Sequence, residues 1–117
     1  VSALADILKE EHERVLERWA LRTRPSAGVR EAVAQLLTAL GASLRAGQVQ
    51  PALLEAAREH GRRSPHLDAL ARDYGLLRDG LLDRVEESSR PMTLAEVRVL
   101  TDLVDRALAE GAAAHAR

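Results

Sequence analysis

The stretch LDALARDYGLLRDGLLDRVEESSRPMTLAE, residues 67–96, decides the fold. Leu67, Leu70, Ala71, Tyr74, Leu77, Leu81 and Val85 recur at intervals of three and four, which places them on one face of a helix over residues 67–88. Ser89-Arg90-Pro91-Met92 ends it. Thr93 followed three residues later by Glu96 is a capping box, so a new helix opens there. That helix carries Leu94, Val97, Leu100, Val104 and Leu108 and continues over residues 94–117 without a stop signal.

The same period extends back to the N-terminus. Residues 3–23 read as one helix with Ser2 as N-cap and an apolar stripe of Leu4, Leu8, Val15 and Trp19, broadened by Ile7 and Leu16. Glu10 and Arg14 on its outer face are spaced for an i,i+4 ion pair. Pro25 disfavours helix at Arg24, and Pro25-Ser26-Ala27-Gly28 breaks the pattern. A second helix spans residues 29–46, with Val29, Val33, Leu36, Leu37, Leu40 and Leu44 inward and Gly47 as its C-terminal stop. Gly41 inside it costs about 1 kcal/mol relative to Ala, which points to a close backbone neighbour there. Pro51 opens a short third helix bearing Leu53, Leu54 and Ala57 and ending near Gly61. No segment alternates with period two over a strand's length. The expected fold class is all-α: one domain over residues 1–117, an antiparallel helical bundle of four long helices plus one short helix.

Composition agrees. Apolar types make up 46% of the chain but aromatics only 2%, with Trp19 and Tyr74 alone and no Phe, so the core is Leu, Val and Ala. The absence of Cys excludes disulfides, thiolate metal sites and cysteine nucleophiles, and fits a cytoplasmic location. Seventeen basic and eighteen acidic residues are interspersed, which argues against nucleic acid or an anionic membrane as partner. No apolar run approaches the roughly 18 residues of a membrane span. The chain starts at Val1 rather than Met and reads as a piece of a longer protein.

Residues able to carry chemistry are few. A di-iron bundle needs Glu-x-x-His on two helices, but Lys9, Ala57, Arg63 and Ala112 stand three residues before His12, His60, His66 and His115. No metal and no cofactor are expected. His12 reads as a boundary histidine held by a carboxylate or water. The serines lie outside any nucleophile elbow, and no Walker or Gly-x-Gly-x-x-Gly loop is present, so no enzyme is expected in this domain. The densest polar cluster is His60-Gly61-Arg62-Arg63-Ser64-Pro65-His66. It can hold an anion beside a helix N-terminus, although capping of the adjoining helix ends is the simpler reading. Tyr74 on the apolar face needs a buried partner for its hydroxyl, and His60 or Arg63 is placed to serve if the short helix folds back. Trp19, His60, Arg63, Tyr74 and Arg78 are therefore the candidate ligand-binding residues.

Several segments together resemble the RsbRD N-terminal domain family, the helical input modules of sensor histidine kinases and stress-response co-antagonists. They are Leu16-Glu17-Arg18-Trp19-Ala20-Leu21-Arg22; residues 36–47, ending Leu44-Arg45-Ala46-Gly47; and Ala57-Arg58-Glu59-His60-Gly61-Arg62 leading into Asp73-Tyr74-Gly75-Leu76-Leu77-Arg78. The family usually has a longer Gly-containing link after His-Gly-Arg, where this chain has Ser64-Pro65-His66. The resemblance implies a cytoplasmic, non-catalytic sensory or protein-interaction domain that signals to an effector through its last helix. Small residues in residues 107–117 let two copies approach, so a homodimer is expected through Val104, Leu108, Gly111 and Ala112.

Overall fold

A computed structural model describes residues 3–117; the expected cap Ser2 lies outside them. Six helices follow one another: α1 Ala3–Glu10, α2 His12–Thr23, α3 Ala27–Ala46, α4 Pro51–Arg63, α5 Leu67–Glu87 and α6 Leu94–His115. No strand occurs among the described residues. None of these helices is long and apolar enough to cross a membrane.

The first expected helix is two. Glu11 leaves the helical region (φ −125°, ψ 25°), although its N–H still reaches Ile7 O at 2.8 Å. A straight helix that buries Leu4 and Leu8 would also bury position 11 or 12, where Glu11 and His12 stand. The bend lets each find a partner instead. Glu11 accepts from Arg84 Nε of α5 at 2.6 Å, and His12 Nε2 donates to Ala34 O of α3 at 2.9 Å. The bend also undoes the expected Glu10–Arg14 pair. Arg14 bonds Glu11 at 3.3 Å, and Glu10 reaches across to Arg90 at 2.7 Å. Thus the architecture is not four long helices and one short. Three helices of 20, 21 and 22 residues (α3, α5, α6) combine with the divided first helix and a 13-residue α4.

The ends form where side chains satisfy the exposed backbone groups. Ser26 Oγ accepts from Val29 N–H at 3.2 Å, so α3 starts earlier than expected. Gly47 stops α3 in the left-handed conformation (φ 71°). His66 Nδ1 caps α5 through Ala69 N–H at 3.2 Å, and Thr93 Oγ1 caps α6 through Glu96 N–H at 3.2 Å. Glu96's own carboxylate accepts from Ala3 N–H at 3.2 Å, tying the starts of α6 and α1 together.

All six helices feed one apolar cluster, which contains most of the stripe residues read from the sequence, while Leu54 and Val97 are half-buried outside it. Leu67 and Leu94 depart from it, 51% and 65% exposed at the first positions of α5 and α6. Ala71 is exposed as well. Helix α4 packs chiefly against α6 and α3, while α5 takes α1, α2 and α6.

The closest backbone approach is not at Gly41, where an added Cβ would only touch Leu8 Cβ at 3.5 Å. It lies between α4 and α6: a Cβ on Gly61 would stand 2.0 Å from Gly111 O. A Cβ on Gly111 would meet Ala57 O at 3.1 Å. No side chain larger than hydrogen fits at Gly61, so the two helices touch backbone to backbone.

Candidate functional site

Beside that crossing lies a buried polar cluster. His60, in the last turn of α4, is fully buried, and Asp73 of α5 is 3% exposed. His60 Nε2–H donates to Asp73 Oδ2 at 3.1 Å, and Arg72 Nη2 donates to Asp73 Oδ1 at 3.3 Å from the surface side. Ser64 Oγ donates to the carbonyl of His60 at 2.8 Å and closes α4. The Tyr74 ring lies 5.3 Å from the His60 ring, tilted by 42°. Burial, and then the charge of Asp73, pushes the Tyr74 phenol well above its ordinary value, so it stays neutral.

Three buried polar atoms have no partner among the described residues: His60 Nδ1, Tyr74 Oη and Trp19 Nε1. The expected bond from the Tyr74 hydroxyl to His60 or Arg63 is therefore not made; only the rings of Tyr74 and His60 meet. A His–Asp pair is the orienting half of an acid–base site. Here the imidazole is sealed from solvent, and the adjacent Ser64 hydroxyl turns to backbone rather than to the ring. The pair joins α4 to α5.

The five candidate ligand residues do not converge on one pocket. Tyr74 and Arg78 border a void of about 10 Å³ under Leu36, Leu40 and Leu53, room for a single water. Arg63 lies at the surface, where Nε donates to Glu59 Oε1 at 2.7 Å and Nη1 to Gly28 O at 3.0 Å. Trp19 lines a different cavity, a groove of about 250 Å³ between α2 and α5. The cationic string after His60 is likewise dispersed. Arg62 lies within 3.8 Å of Glu55 and 3.7 Å of Glu59, and His66 is spent on the α5 cap. On α6, Val104 and Gly111 are buried inside the chain, and Leu108 and Ala112 pack half-buried against its core. No group of three or more His, Asp or Glu is placed to hold a metal ion among the described residues.

Asp73 was hidden by its neighbours in a polar string, yet the signal was present. It stands three residues after Leu70 and four before Leu77, on the buried face. His60, seven after Leu53 and three after Ala57, obeys the same spacing.

A chain of charges ties the bend at Glu11 to α5. Arg84 binds Glu11 at 2.6 Å and Glu87 at 2.9 Å, and Arg18 of α2 binds Glu87 at 3.2 Å. Hydrogen bonding from Arg84 holds the Glu11 carboxyl below its ordinary value, and hydrogen bonds from Arg18 and then Arg84 do the same for Glu87. Compared with protein-family models, curated proteins and solved structures, the chain matches none.

Proposed function

We propose that this domain is a non-catalytic input or protein-interaction module of a bacterial signalling protein, a sensor histidine kinase being the output that fits best, and that α6 carries the signal. The contact between Gly61 and Gly111 supports this reading. At that crossing no compliant side chain separates the two backbones, so a displacement at the His60–Asp73 end of α4 presses directly on α6. The grip continues to the end of the helix. Arg58 reaches Glu110 at 3.4 Å, and His115 Nδ1–H donates to Gly61 O at 3.0 Å. The RsbRD-like pattern of the sequence supplies the signalling context, including a cytoplasmic location, and the small residues of the last helix supply the expectation that two copies pair.

Pairing through α6 must use what the core leaves outward, Asp102, Asp105, Arg106, Ala109 and Ala113, rather than the buried Val104 and Gly111. The reading is tested on the gene. A dimerisation helix and an ATP-binding domain following Arg117 in helical register with α6 are expected; a stop codon directly after Arg117 would overturn it. For the pairing, light scattering of the full-length protein is expected to give twice the chain mass, and a monomer at high concentration would remove that part.

A further inference from the structure

The groove between α2 and α5 is not used by the reading of α6 given above. Its walls are Val15, Trp19, Leu76 and Leu77, and Leu21 stands at its mouth 77% exposed. At about 250 Å³ it exceeds the ~150 Å³ of a cavity that holds benzene, and approaches the ~300 Å³ of small ligand pockets. Trp19 is 3% exposed, and its indole N–H, a donor, has no acceptor among the described residues. The rim carries three guanidinium groups, Arg18, Arg22 and Arg84, against one carboxylate, Asp83. Arg18 and Arg84 are held by Glu87 and Glu11, whereas exposed Arg22 and exposed Asp83 each make no ion pair with any described residue.

From the apolar wall and the uncommitted Arg22 at its rim, we infer that the groove binds a small amphiphilic monocarboxylate. Its hydrocarbon body lies against Trp19 and Leu77, and its carboxylate faces Arg22. Eight to ten carbons is about the size the volume admits. The site stands whether or not α6 is an output helix, because the binding test reads the groove alone.

Trp19 is the chain's only tryptophan, so its emission reports the groove directly. Octanoate, and octanol as the uncharged body, are titrated into the protein while Trp19 fluorescence is followed. Saturable octanoate binding with Kd between about 10 µM and 1 mM is expected. Arg22→Gln is expected to weaken octanoate about three- to tenfold and leave octanol unchanged. Gly80 lines the groove with nothing within 4 Å of where its Cβ would be, so larger side chains there enter the groove without disturbing the core. Gly80→Leu is expected to abolish octanoate binding, and Gly80→Ala to keep it within about threefold; both fold, since they gain helix propensity. The inference is overturned if octanoate leaves the emission unchanged to about 5 mM, a range covering the expected Kd, or if Gly80→Leu binds like the wild type. A concentration-dependent emission shift without ligand would also overturn it, by assigning the groove to a second copy of the chain.

Discussion

Replacing Gly61 by alanine tests the α4–α6 contact most directly. The added Cβ would stand 2.0 Å from Gly111 O, 2.7 Å from its carbonyl carbon and 2.8 Å from its Cα. All three are backbone atoms, so no rotamer change relieves the clash. Reaching the ~3.5 Å of ordinary contact moves the helices apart by about 1.5 Å, which forfeits half or more of the dispersion attraction nearby. Ala57, Leu70, Ala107 and Ala114 are buried around the crossing and lose that packing. Overpacking of this kind costs about 3–5 kcal/mol where backbone must yield, and the Gly-to-Ala gain in helix propensity returns about 1 kcal/mol. The net loss is about 2–4 kcal/mol. In urea unfolding followed by far-ultraviolet circular dichroism, with a slope of about 1.5 kcal/mol per M, the midpoint falls by about 2 M.

Three other glycines serve as controls. Gly111→Ala meets Ala57 O at 3.1 Å and Leu70 Cδ2 at 3.4 Å, a contact that yields by tenths of an ångström. Its stability should stay within about 1 kcal/mol of wild type. Gly75 and Gly80 have nothing within 4 Å, so each alanine there should stabilise by about 0.5–1 kcal/mol. A Gly61→Ala midpoint equal to that of Gly75→Ala would refute the close crossing.

Tyr74→Phe removes a buried hydroxyl with no partner; stability should rise by about 1 kcal/mol, roughly 4 °C in melting temperature, and a fall would show that a water in the adjoining void holds it. Asp73→Ala leaves the His60 Nε2–H buried without an acceptor and should cost about 2–3 kcal/mol by denaturant unfolding. Asp73→Asn keeps an acceptor and should cost about 1 kcal/mol or less; equal losses for the two would remove the hydrogen bond from the account. Tyr74 is the chain's only tyrosine, so absorbance at about 295 nm reports it alone. Folding favours its neutral form, so that contribution is full below the unfolded value of 10.0 and is lost as pH rises above it. Ionisation should therefore coincide with loss of helical dichroism, and a phenol titrating near 10 in folded protein would contradict its burial.

Helix breaks were legible because each is written in local chemistry: Ser26, Gly47, Pro51 and Thr93 act within a few residues of themselves. The bend at Glu11 was less so, since a helical stripe tolerates one polar turn. Only the partners Arg84 and Ala34, 73 and 22 residues away, decide that the chain bends rather than buries a carboxylate. Small residues near Gly111 announced a close helix approach, but nothing local says whether the partner is another copy or α4. Trp19, His60, Arg63, Tyr74 and Arg78 were grouped by residue type, while their separation depends on which face of each helix meets which neighbour. Asp73 is the opposite case, a residue whose spacing placed it inside while its charge drew attention away.

The bond from Glu96 to Ala3 N–H has a mechanical consequence. Together with the bond from His115 to Gly61 O, it supports α6 near both ends, about 28 Å apart at 1.5 Å per residue. The α1 support and the α4 support lie near opposite ends of α6, so each end of the helix is tied to a different element in addition to its packing in the core. Added to that packing, two ties to different elements hold the helix against spinning about its long axis.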